Sequence, residues 1–269
     1  MPAPRTVLLT GAAGGLGTLM RELLPPYGYR LRLFDRRPVD GAPDAVTADL
    51  GDKEALRTAL AGVDAIVHLA GISLEAPFEK ILRSNIEGTY HLYEAAREAG
   101  VRRVVFASSN HAVGFTPRPE DGSASIPVNT PRRPDTYYGL SKGFGEDLAS
   151  LYWDLHGIET VSVRIGSCFP APTSVRMLSI WLSPGDCARL LHAALTAPAV
   201  GHTVVYGSSA NTRLWWDLSA ARALGYDPQD DSEPYAAGLL AAQGALDPAN
   251  PEHAHLGGAF CTDPPRWPY

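Results

Sequence analysis

The sequence predicts an α/β fold built on a doubly wound parallel sheet, and three of its features point there. Short apolar runs alternate with helical patterns from the start of the chain. Those runs lack the polar alternation of a half-exposed strand, and a glycine-rich turn joins the first run to the first helix. With 269 residues, 45% of them hydrophobic and 19% charged, the chain can fill one large core.

In chain order, Thr6–Thr10, Tyr29–Phe34, Ala45–Ala48, Ala65–Leu69, Arg103–Ser108 and Glu159–Ile165 read as strands. Val7-Leu8-Leu9, Ile66-Val67 and Val104-Val105-Phe106 are apolar on both faces, as in strands covered by helices on either side. A first helix starts near Leu19. Glu87–Ala99 reads as a helix ended by Gly100, and Thr136–His156 as a longer one ended by Gly157. Residues 114–135, rich in proline and poor in periodicity, form an irregular approach to that longer helix, a position that often carries a substrate site. A helix near Cys187–Leu195, a strand near Thr203–Tyr206, a helix near Trp216–Leu224 and an irregular tail complete the chain, with no internal repeat or flexible linker.

A formal net charge of -6 leaves no broad cationic surface for neutralising phosphates, so nucleic acid is not an expected partner. The three cysteines, Cys168, Cys187 and Cys261, have no metal-ligand spacing and form no disulfide framework; a reducing cytoplasm and no bound metal are expected. Met1-Pro2-Ala3-Pro4-Arg5 lacks the pattern of a secretory signal, and no apolar run approaches the roughly 20 residues that span a bilayer, so no membrane association is expected.

Gly11-Ala12-Ala13-Gly14-Gly15-Leu16-Gly17 follows the first strand and opens a helix. Glycines there allow close backbone approach, so helix-end amides and the positive end of the helix dipole can meet a pyrophosphate. Asp35 closes the second strand, where a carboxylate can accept hydrogen bonds from ribose hydroxyls and repel the additional phosphate of NADP; this favours NAD, with Arg36 and Arg37 able to offset the repulsion. Asp49 and Leu50, after the third strand, are candidates for the adenine edge.

Tyr138-Gly139-Leu140-Ser141-Lys142 sets a phenol and an ammonium one helical turn apart on the same face. A nearby lysine and the positive nicotinamide ring both favour the phenolate, which can then take a proton from a substrate hydroxyl. Ser108-Ser109-Asn110-His111 ends a strand at the sheet's carboxyl edge, where open α/β sheets bind ligands. Ser109 is the candidate hydroxyl beside Tyr138, and His111 a candidate substrate contact. A ligand-free glycine turn, turn-capping serines and a surface Tyr/Lys pair are the plain alternatives for each motif alone. Their succession along one chain favours the functional reading.

The combination resembles the extended short-chain dehydrogenase/reductase family over roughly residues 5–170, which implies a Rossmann fold with Tyr138, Lys142 and Ser109 catalytic. Asn85 matches an asparagine that steadies the lysine there. More narrowly, His68-Leu69-Ala70-Gly71-Ile72-Ser73, Phe106-Ala107-Ser108-Ser109-Asn110-His111, Arg164-Ile165-Gly166-Ser167-Cys168, Arg176-Met177-Leu178-Ser179 and Trp215-Trp216-Asp217 resemble the uronate-oxidising branch of that family. This implies NAD-dependent oxidation of the anomeric carbon of D-galacturonate or D-glucuronate to an aldarolactone. It also implies cofactor contacts at Leu69, Ala70, Gly71 and Cys168, and substrate contacts at Ser73, Ser109, Asn110, His111, Ser167 and Arg176, with the Arg176 guanidinium gripping the uronic acid carboxylate by two parallel hydrogen bonds.

On this reading residues 1–170 form the dinucleotide-binding core, and residues 171–269 a small substrate-binding lobe interleaved with the last core elements in one compact unit. Exposed helices suggest a homo-oligomer. A nucleotide-sugar epimerase or dehydratase, and an NAD-binding sensor without chemistry, are the competing functions. The short C-terminal part argues against the first and the intact Ser109, Tyr138 and Lys142 set against the second.

Overall fold

The computed structural model describes residues 5–119 and 125–262; residues 1–4, read above as carrying no signal, and residues 120–124 of the proline-rich segment lie outside the described residues. Strand β1 (Thr6–Thr10) is buried throughout and passes through the glycine turn into α1 (Gly15–Leu23). There follow β2 (Arg30–Asp35), the two-residue β3 (Val46–Thr47), α2 (Lys53–Leu60) and β4 (Ala65–His68). Helix α3 (Phe78–Ile81) runs through a π-helical stretch, Leu82–Glu87, into α4 (Gly88–Ala99). Then come β5 (Arg103–Ser109), α5 (Tyr137–His156) and β6 (Glu159–Ile165). The remainder contains β7 (Ser167–Cys168), β8 (Trp181–Leu182), α6 (Pro184–Thr196), β9 (His202–Gly207), α7 (Ser219–Ala223), α8 (Ala236–Gln243) and α9 (Pro251–Ala254).

Seven strands form one sheet in the order β3-β2-β1-β4-β5-β6-β9, with every pairing parallel. The chain moves outward from β1 to β3 and resumes on the other side at β4. The switch point therefore lies beyond the carboxyl ends of β1 and β4, where ligands of such sheets bind. Successive residues of β1 face opposite layers, as a period of two requires. Leu9 packs with Met20, Leu24, Leu190 and Leu191 under α1 and α6, whereas Leu8 packs with Leu56, Leu92, Tyr93 and Leu148 under α2, α4 and α5. Each such side chain contributes about 1.5–3 kcal/mol by leaving water, which is why the strand sequences are apolar without alternation. A third cluster of Val113, Ile126, Ile180, Trp216 and Leu256 packs around Tyr206 of β9.

Several boundaries differ from the sequence expectation. Helix α1 begins at Gly15 rather than near Leu19, because the loop glycines enter its first turn. The helix expected from Glu87 is continuous with the π stretch and α3, and Trp216 sits in the third cluster ahead of a short α7. Periodicity did not disclose α2 or α8. Strand β9 lies beside β6, so the C-terminal third supplies the sheet's last strand. Among the described residues no helix is long and apolar enough to cross a membrane.

Candidate active site

A cavity of about 790 Å³ lies over the carboxyl edge of the sheet and runs from the glycine loop and Asp35 to Tyr138, Arg176 and the segment 257–260. Every residue expected from sequence to touch the cofactor lines it. A Cβ on Gly17 would fall 2.1 Å from the Gly11 carbonyl oxygen, and one on Gly11, whose φ is +74°, would fall 2.7 Å from Ala70 N. Gly15 differs: a Cβ there would meet nothing within 4 Å. The loop is closed tightly on its protein side and open on its cavity side, and no side chain caps α1, so its first amides remain available to an anion.

Asp35 is fixed at the rim. Its Oδ2 accepts from Ala13 N and its Oδ1 from Arg37 N, both at 2.9 Å. Arg37 folds back, its Nη2 donating to the Ala13 carbonyl at 2.7 Å. A carboxylate at one end, a bare helix terminus in the middle and a phenol at the other fit an extended dinucleotide.

At the start of α5 the Thr136 hydroxyl accepts from Gly139 N at 3.0 Å, an N-cap that sets Tyr138 in the first turn. Glu75, from the loop that bears Ser73, accepts from Tyr138 N at 2.9 Å. The Ser109 hydroxyl accepts from His111 N at 3.2 Å and lies near the Tyr138 phenol. Burial pushes the phenol up to about 12, against the opposing influence of the nearby Ser109 hydroxyl and with the Asp135 carboxylate adding to the rise. Burial lowers Lys142 to about 8, and its Nζ donates to the Ala107 carbonyl. The expectation that the lysine favours an acidic phenol is thus outweighed in this structure by desolvation.

Ser73, Ser109, His111, Ser167 and Arg176 line the cavity, but Asn110 does not. Asn110 is 1% exposed and lies behind Arg176. With its amide oriented to satisfy both ends, its oxygen accepts from Arg176 Nη2 at 3.0 Å and its nitrogen donates to Ile165 O at 3.2 Å. Asn85 also departs from expectation: it bonds the amide and carbonyl of Ile72, at 2.7 and 2.9 Å, and the Ser141 hydroxyl, rather than Lys142. The π stretch aims it there, and it fixes the loop after β4.

Arg176 donates from Nε to Leu256 O at 3.1 Å and from Nη2 to the same oxygen. Burial lowers it to about 10, opposed by the Asp135 charge. With Nε and Nη2 committed, Nη1 is the nitrogen that none of the described hydrogen bonds uses. The two parallel bonds expected from sequence are therefore not pre-arranged. The sequence reading missed Asp135, Glu75, Leu256 and Phe260. Asp135 could have been found as the residue before the Thr136 cap; the tail, without periodicity, gave no signal.

Comparison with known proteins places this geometry. The model of the NAD dependent epimerase/dehydratase family matches residues 7–181. Uronate dehydrogenase of Pseudomonas syringae pv. tomato is 52% identical over 96% of this chain and 94% of its own, and that of Agrobacterium fabrum 46% identical over 97% and 98%. A mutant of uronate dehydrogenase from Agrobacterium tumefaciens, solved in complex with NAD, superposes with a TM-score of 0.91 at 46% identity, covering 97% of this chain and 98% of that one.

Proposed function

The chain belongs to the NAD dependent epimerase/dehydratase family, and from that premise we propose that it is an NAD-dependent oxidoreductase that oxidises D-galacturonate or D-glucuronate at the anomeric carbon to the aldarolactone. The carrying observation is that one cavity holds both the Ser109–Tyr138 pair and a desolvated arginine, Arg176, with Nη1 uncommitted. Arg176 receives the carboxylate, Ser109 and Tyr138 hold the anomeric hydroxyl, and the phenolate oxygen takes its proton. Lys142, 5.6 Å from the Tyr138 ring centre, favours that phenolate once its own charge is in place. Bound NAD supplies the hydride acceptor. Asp35 orients the adenosine end, and the bare α1 terminus receives the pyrophosphate.

The small-molecule partner is a uronic acid. Thiols at Cys168, Cys187 and Cys261 suit a reducing cytoplasm, and exposed Tyr90, Leu151 and Leu155 on α4 and α5 suit self-association, which sedimentation would measure. The deciding experiment follows absorbance at about 340 nm after NAD is mixed with galacturonate, glucuronate, galactose or glucose. NADH formed from the uronates alone supports the assignment. Equal rates with neutral sugars remove the role of Arg176. Silence with all four, in protein that binds NAD, returns the competing functions.

A further inference from the structure

Asp135 lies outside the Ser109, Tyr138 and Lys142 set, yet its side chain is completely buried beside the cavity. Three segments make room for it with glycine. A Cβ on Gly114, Gly139 or Gly257 would fall 1.9, 3.0 or 2.0 Å from a carboxylate oxygen. Burying a carboxylate is costly unless hydrogen bonds compensate it, so a cage of this kind implies a specific partner. The Thr136 hydroxyl donates to Oδ1 at 2.9 Å, and the second partner is His111, whose Nδ1 lies 2.6 Å from Oδ2.

The hydrogen bond fixes the chemistry of the imidazole. A carboxylate only accepts, so Nδ1 carries a proton, and in the singly protonated ring the lone pair lies at Nε2. Phe260 stacks on the ring at 4.1 Å and Tyr138 meets it at 5.7 Å, which leaves it little freedom to turn. His111 lines the cavity, and none of the described hydrogen bonds uses Nε2.

We infer that Asp135 is a positioning residue that locks His111 as the Nδ1–H tautomer, so that Nε2 accepts a hydrogen bond from a ring hydroxyl of the sugar. The division of labour is chemical. Arg176 can only donate and takes the carboxylate; His111 accepts and selects a hydroxyl, and a deoxy sugar leaves it unpaired. The identity of the sugar rests on the proposed function, whereas the tautomer does not.

The test has two arms. Long-range proton–nitrogen correlation spectra of histidine-labelled protein near pH 9, with His111→Gln to assign the signal, read the tautomer directly. A singly protonated ring with the proton on Nδ1 is expected; a proton on Nε2, or on both nitrogens, overturns the inference even if Asp135→Asn does not fold. In Asp135→Asn the amide fits the same cage and can donate to Nδ1, so the proton should move to Nε2. KM for galacturonate should then rise about tenfold or more, with kcat within about threefold and NAD affinity unchanged. A retained Nδ1 proton in this variant, or equal changes in KM for the sugar and Kd for NAD, overturns it. Failure of the wild type to oxidise any uronate would count against the proposed function and leave the tautomer reading intact.

Discussion

The Lys142 ammonium donates to the Ala107 carbonyl oxygen at 2.7 Å, a backbone contact that ties the middle of α5's first turns to the end of β5. That hydrogen bond and the Phe106 ring, 5.0 Å away, are modest compensation for a charge this deeply buried. Its folded value of about 8 lies below its ordinary 10.5, so between those values the unfolded chain binds more protons and stability rises with pH. Below about 8 both states are protonated and the whole cost of burial is felt. Lys142→Met should therefore be more stable than wild type at pH 7 by up to the order of 3 kcal/mol, a gain that fades between about pH 8 and 10.5. Urea unfolding of both proteins at the two ends of that window measures it; a difference independent of pH would refute it.

Tyr138 is the second case in which burial sets chemistry. Tyr138→Phe removes the phenol that holds the substrate oxygen and keeps the ring that His111 and Lys142 pack against. We expect a folded protein with NAD affinity within a few fold of wild type and turnover reduced about 10²–10⁴-fold, as for loss of a general base. Retention of more than about a tenth of the rate would move the proton transfer to another group.

The two glycines of the cofactor loop should separate fold from binding. Gly17→Ala drives a methyl against the Gly11 carbonyl, with the carbon only 2.1 Å away, and should cost about 1–3 kcal/mol of stability together with NAD affinity. Gly15→Ala meets no protein atom within 4 Å, so its melting temperature should hold while Kd for NAD rises. Thermal melts and NAD titrations of the pair check this. Equal destabilisation by both would mean that the loop is not shaped around a ligand.

Much of this was legible in the sequence because it is local. The strand–glycine turn–helix order, the acid ending β2 and the Tyr138/Lys142 spacing are each fixed by a few adjacent residues, and the structure brings them to one cavity. Asn110 shows the limit: its neighbours Ser109 and His111 face the cavity, but a one-residue change of direction after β5 sends it behind Arg176. Asn85 lies in a π-helical stretch, which has no sequence periodicity of its own, and bonds Ile72 and Ser141. Leu256 and Phe260 reach the site from more than 100 residues beyond α5's cap, through an aperiodic tail; nothing local encodes that docking.

Asp35 should govern cofactor choice. Its two oxygens are held by the amides of Ala13 and Arg37, and Arg37 is drawn back onto the Ala13 carbonyl. Replacing the carboxylate removes both the ribose acceptor and the repulsion of a ribose phosphate, and releases Arg37 toward it. Asp35→Ser should lower kcat/KM for NAD and raise it for NADP, each by about tenfold. Unchanged discrimination would assign the preference to other residues of the rim.

Arg176 is where sugar specificity can be measured most directly. Its Nε and Nη2 secure the Leu256 carbonyl, and Nη2 also meets Asn110, so the side chain both anchors the tail and lines the cavity, with Nη1 used by none of the described hydrogen bonds. Arg176→Ala removes a charged hydrogen-bond donor worth on the order of 2–3 kcal/mol, so kcat/KM for galacturonate should fall about 100-fold, mainly through KM. Activity with galactose, which has no carboxylate, should change far less, and NAD affinity should stay put. Arg176→Lys should not restore the rate, because one ammonium cannot hold the Leu256 carbonyl and reach a carboxylate together. Steady-state kinetics with both sugars separate the roles: a loss shared equally by galacturonate and galactose would make Arg176 a support for the tail rather than the carboxylate anchor.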